Sequence, residues 1–100
     1  MENLKEKYKN DIAFIMSKRH INGADLWAGK DNNIGTGSPF STRDVSLILI
    51  ELGFNKKDAI IQDLSSLIFE HQQPDGRFRM SKSGAIYPCH TISCLRVLCY

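Results

Sequence analysis

Residues 71–78 read HQQPDGRF, an eight-residue stretch between a helical pattern and a second apolar run. It holds a glutamine pair, a proline, an Asp-Gly turn and an aromatic. Pro74 and the Asp75-Gly76 pair predict a tight reversal, and Phe78 is placed to fold back on whatever precedes the turn. The stretch is either catalytic equipment or a clasp that a helical fold needs between elements. Turn chemistry explains each of its residues, which favours the clasp.

Outward from this turn the chain reads as helices. Upstream, Ile60, Ile61, Leu64, Leu67 and Ile68 form one stripe with Asp63 and Glu70 off it, an amphipathic helix whose start Asn55 and Asp58 mark with capping-box spacing. Before it, STRDVSLILIELGF (41–54) carries Ser41 and Asp44 at the same spacing, and Gly53 as a stop signal. Val45, Leu47, Ile48, Leu49, Ile50 and Leu52 leave this run little polar face. Its composition also suits a buried strand, but signals at both ends favour a buried helix. At the N-terminus Leu4, Tyr8, Ile12, Ile15 and Met16 form a stripe predicted to end near His20, with Gly23 beyond. Downstream, Thr91 is a candidate cap for ISCLRVLCY (92–100), again apolar on most faces.

The order is amphipathic helix, long loop, buried helix, then the same again. A shift of 49 lays Pro39 on Pro88, Thr42 on Thr91, and Val45–Ile50 on Cys94–Cys99; a shift of 50 lays Asn22 on Gln72 and Asp25 on Asp75. Trp27 falls one residue short of Phe78. The expectation is an all-α single domain over 1–100, built of two helical hairpins with four main helices, repeating at roughly 1–54 and 55–100. The apolar helices need neighbours on most sides, and repeat folds generally bury their cores with three or more units. The pattern also stops at Tyr100 with no Gly, Pro or polar cap. Missing neighbours are therefore expected, from further C-terminal repeats or from self-association.

Composition narrows the function. The chain has 100 residues, 42% hydrophobic and 24% charged, with 13 basic against 11 acidic side chains and a net charge of +2. The charges are interspersed, so no basic stripe for nucleic acid appears. No run approaches the roughly 18 apolar residues of a membrane span, and MENLKEKYKNDIAF (1–14) has no apolar leader segment. With three cysteines and no export signal, the expected location is the cytoplasm with reduced thiols.

Gln72, Asp75, Gly76 and Phe78 stand as Q-x-x-D-G-x-F, which resembles the glutamine-aromatic repeat of squalene and terpene cyclases and of protein prenyltransferase β subunits. Asn22, Asp25 and Trp27 resemble a degraded first copy, with the glycine lost. GSPFST (37–42) and YPCHT (87–91) resemble the segment that precedes the buried helices of bacterial prenyltransferase-like and squalene-cyclase-like proteins. The resemblance implies a partial α/α toroid, in which outer and inner helices surround a cavity and the motif ties hairpins together. It implies an N-terminal or split portion, and an isoprenoid-type small molecule or a partner protein as ligand. It does not bring the family's catalytic groups. No D-x-D-D cluster is present to hold a strong protonated carboxylic acid, and the Asp, Cys and His zinc ligands of the prenyltransferases belong to later repeats.

The remaining candidates follow from residue chemistry. Cys89, Cys94 and Cys99 step by five, so their thiols cannot converge on a metal, and neither a metal nor a cofactor is implied. The Cys89-His90 pair lacks an orienting acid nearby in sequence. The start of an inner helix faces the cavity in the resembling families, which makes Tyr87, Cys89, His90 and Thr91 the candidate ligand contacts. Trp27, Phe40, Phe78 and Tyr87 are candidates to line a cavity, although packing between hairpins is the commoner role. Lys30, Arg43, Arg77, Arg79 and Lys82 are candidate diphosphate partners, against the ordinary alternative of solvated loop cations.

Overall fold

Ser41 caps a helix by its side chain. Its Oγ accepts from the Asp44 backbone N–H at 3.1 Å, the capping bond that the spacing predicts. The computed structural model describes residues 3–37, 39–81, 84 and 86–99. In it α1 (Leu4–Lys7) and α2 (Lys9–Ser17) form a single helical stretch interrupted at Tyr8, followed by α3 (Thr42–Glu51), α4 (Ala59–Phe69) and α5 (Pro88–Leu98). A short turn at Lys30–Asn32 lies in the first long loop. The fold is all-α, as expected. Among the described residues the one β feature is an isolated bridge between Gln72 and Phe78.

The core lies where α3, α4 and α5 meet. Val45 and Leu49 of α3, Ile61, Leu64 and Ile68 of α4, and Cys94 and Val97 of α5 are all fully buried there. Both long loops add to it. Trp27 and Ile34 come from the first, Phe78 and Met80 from the second, each buried. The loops also cross, because the Ile34 N–H donates to the Met80 carbonyl at 2.9 Å while the Arg43 N–H donates to the Ile34 carbonyl at 3.1 Å. No residue of α1 or α2 is fully buried; Ile15 and Met16 pack against the core from outside.

Two helix starts differ from expectation. α5 begins at Pro88 rather than after Thr91, with Tyr87 at the cap position. Proline suits a first helical position, where its missing N–H costs no hydrogen bond. At the head of α4 it is Asp58, not Asn55, that sits at the cap, and its carboxylate turns back to accept from the Asn55 N–H and from Lys5 Nζ at 2.6 Å. The exposure of α5 differs as well. Only Cys94 and Val97 are buried, while Ile92 is 66% and Leu95 46% exposed. With 100° per residue, Cys89, Ile92, Leu95 and Cys99 share its outward face.

Candidate functional site

Each long loop is closed by a clasp of backbone and side-chain bonds. In the second, the Gly76 N–H donates to the Gln73 carbonyl at 2.9 Å, and Gly76 takes the left-handed backbone (φ +91°) that the turn needs. The Gln73 N–H reaches the Arg77 carbonyl at 2.7 Å, the Arg79 N–H reaches back eight residues to the His71 carbonyl at 3.0 Å, and Gln72 Nε2 donates to the Gly76 carbonyl at 3.2 Å. Phe78 is fully buried, and its N–H donates to Thr91 Oγ1 at 3.1 Å. The Thr91 hydroxyl, expected to cap a helix or meet a ligand, therefore ties this loop to α5.

The first loop closes similarly. The Trp27 N–H reaches back eight residues to the Arg19 carbonyl at 2.8 Å, and Asn22 Nδ2 donates to both the Trp27 and Phe40 carbonyls at 2.9 Å. Trp27 is fully buried with its indole N–H on the Ile15 carbonyl at 3.1 Å, and Thr42 Oγ1 donates to the Leu26 carbonyl at 2.8 Å. Each loop also carries an Arg–Asp pair, Arg19 with Asp25 at 2.6 Å and Arg77 with Asp75 at 2.7 Å. The bonds from Arg19 and Arg77 are the foremost reason that both carboxyls are held below their ordinary range.

Cavities walled by described residues lie along these loops, and three of them bear on the site. The first, about 410 Å³, is walled by Asp31, Glu70, His71, Gln73 and Arg79. The second, about 570 Å³, includes Asn22, Lys30 and Asp31. The third, about 250 Å³, lies where the loop crossing meets the starts of α3 and α5, and Asn33, Arg43, Ser81, Tyr87 and His90 line it. Here Tyr87 meets His90 edge-on, ring centroids 5.3 Å apart. Burial pushes the His90 imidazole below its ordinary value, and the nearby Arg43 charge pushes the same way.

The candidate ligand contacts separate accordingly. His90 and Tyr87 come together in the third cavity with Arg43, one of the candidate diphosphate partners. Cys89 is exposed on the outward face of α5, and Thr91 is spent on the clasp. Of the other cations, Lys30 and Arg79 line other cavities, Arg77 is paired with Asp75, and Lys82 lies outside the described residues. Of the aromatics, Trp27 and Phe78 pack in the core, Phe40 stacks obliquely on Phe14 at 6.0 Å, and Tyr87 is 54% exposed. Burial raises the Cys94 thiol to about 11, so it stays protonated and unreactive at neutral pH. Among the described residues no three His, Cys, Asp or Glu side chains gather as metal ligands, and no helix is long and apolar enough to cross a membrane. No protein-family model, curated protein or solved structure matches the chain.

Proposed function

We propose that this chain is a helical-hairpin repeat module of the prenyltransferase and squalene-cyclase type, a partial α/α toroid that binds an isoprenoid chain and does not catalyse by itself. The observation that carries this reading is the clasp. Gln72 through Phe78 closes a turn and docks it on Thr91 at the head of the next helix, while Asn22 through Trp27 does the same beside Thr42. An isoprenoid has no polar group along its length and needs a continuous apolar surface. The outward face of α5 supplies one in Cys89, Ile92, Leu95 and Cys99.

A second reading draws on the same face. A helix with an exposed apolar stripe is also how a scaffold receives a partner helix. Farnesol, a prenyl chain without charge, separates the two. Under the isoprenoid reading it raises the melting temperature saturably and slows iodoacetamide alkylation of Cys89 and Cys99. No thermal shift, with alkylation slowed only as protein concentration and scattering mass rise, would replace it with the scaffold reading.

A further inference from the structure

We propose that the third cavity binds a compact oxyanion between the Arg43 guanidinium and the His90 imidazole. This site lies on the side of α5 turned away from its apolar face, since His90 and Ile92 are two positions apart, which places them about 160° apart around the helix. It is therefore independent of the isoprenoid reading.

The first argument is the sign of the walls. Asp31 and Glu70 line the first cavity and Asp31 the second, but among the described residues no carboxylate lines the third. Among the described residues its charged group is Arg43, whose side chain is 20% exposed. The ionic partner of Arg43 is Asp44 at 3.5 Å, well beyond the roughly 2.7–2.9 Å of a charge-assisted hydrogen bond. Among the described residues the guanidinium makes no hydrogen bond, which leaves a forked donor facing the cavity.

The second argument is an orphaned atom. His90 Nδ1 is buried and has no hydrogen-bond partner. Such an atom costs about 1–3 kcal/mol when left unsatisfied, and the ring that carries it lines the cavity, so a small rotation of the imidazole toward a ligand forfeits no hydrogen bond at Nδ1. Asn33 completes the set: its Oδ1 is occupied by the Gly35 N–H at 2.8 Å, so the amide NH2 is the group left to offer. Ser81 adds a hydroxyl. The ligand that satisfies several donors and one cation at once is an acceptor-rich anion.

Size and charge bound the ligand. About 250 Å³ is several times the roughly 30 Å³ of a water molecule and just below the roughly 300–1,000 Å³ of drug-sized sites. Asp44 offsets part of the Arg43 charge, so the expected affinity is modest, on the order of millimolar for a bare ion. Phosphate monoesters and small carboxylates share the required chemistry.

The test is a 15N–1H correlation spectrum titrated with sodium phosphate, with sodium acetate, and with sodium chloride at matched ionic strength. Saturable shifts at the Gly35, Arg43 and His90 amides are expected with at least one of the two oxyanions. A phosphate preference assigns the phosphate class, and an acetate preference or equal response the carboxylate class. The same shifts with chloride, or none with either oxyanion, would overturn the site. Arg43→Gln should weaken binding at least about tenfold, and unchanged affinity overturns the proposal. Should that variant lose its helical circular dichroism, His90→Phe decides. It keeps a ring in place, removes both nitrogens and should weaken binding several-fold; unchanged affinity there counts equally against the site.

Discussion

The clasp at residues 71–79 is the better match to a recognisable motif, but the clasp at 19–28 is the more heavily bonded. The Gln72 side chain is exposed and, among the described residues, makes one hydrogen bond, of 3.2 Å to the Gly76 carbonyl. Asn22 is half-buried and bridges two carbonyls, Trp27 and Phe40, which ties its turn to the approach to α3. The buried aromatic differs in the same direction, because Trp27 adds an indole bond to the Ile15 carbonyl that Phe78 has no group to make. A shorter amide in a more enclosed place supports more of the structure than a longer amide in solvent. Fidelity to a motif and structural weight are separate properties.

The comparison breaks or sharpens first at the amides. Asn22→Ala leaves two partly enclosed carbonyls without their donor and is expected to cost about 2 kcal/mol, whereas Gln72→Ala should cost about 0.5 kcal/mol or less. Urea denaturation of the two variants measures both, and equal losses would remove the asymmetry. Gly37 carries the same weakness from the other side. A Cβ there would overlap the Asn22 amide, so Gly37→Ala should destabilise at least as much as Asn22→Ala.

A smaller effect is expected at the turn itself. At a shift of 50, Gly76 falls on Leu26, which holds a left-handed backbone (φ 55°) despite its side chain, as does Trp27 (φ 60°). Such a conformation costs a non-glycine residue about 1–2 kcal/mol. Gly76→Ala should therefore destabilise by about 1 kcal/mol, the new methyl meeting the Gln72 amide nitrogen at 4.0 Å without a clash. Leu26→Gly should come out near neutral, because relief of strain is offset by lost packing against the core. A loss from Leu26→Gly as large as that from Gly76→Ala would show that the first turn is not strained.

The smallest difference is electrostatic. Asp25 and Asp75 both have folded-state pKa values below the ordinary 3.8, chiefly through their arginine bonds. A depressed carboxyl contributes stability that is present above the unfolded value and lost as pH falls through the folded one. Both contributions should begin to fade as pH falls below about 4 and be gone once pH is below the folded-state values. Asp25 accepts from Arg19 and the Leu26 N–H and lies 3.2 Å from His20 Nε2, an ion pair once His20 is protonated, so Asp25→Asn should flatten the acid limb of stability more than Asp75→Asn. Guanidinium melts between pH 2 and 5 would read the order, and its reversal would contradict the first clasp's tighter build.

Much of the helical layout was legible because helix signals are local. Ser41 and Asp44 mark the head of α3 by spacing alone, and the stripe of Ile61, Leu64, Leu67 and Ile68 marks α4. The start of α5 was misplaced because Thr91 has the side chain of a cap, yet that hydroxyl is taken by Phe78, thirteen residues upstream. The candidate site was half legible. Tyr87 and His90 were visible as residues at a helix start, but their sequence neighbours Cys89 and Thr91 project elsewhere, a consequence of the 100° step that adjacency conceals. Arg43, Asn33 and Ser81 reach the same cavity through the Ile34–Met80 crossing, and no periodicity encodes a contact between two loops.

That crossing bears on how the molecule folds. Short helices joined by local contacts form quickly, in the microsecond range when little else is required. Here the Ile34–Met80 bond joins residues 46 positions apart, and Trp27, Ile34, Phe78 and Met80 enter the core only when both loops have closed. Helical signal should therefore develop before Trp27 reaches its buried emission, with loop closure as the slower, rate-setting event.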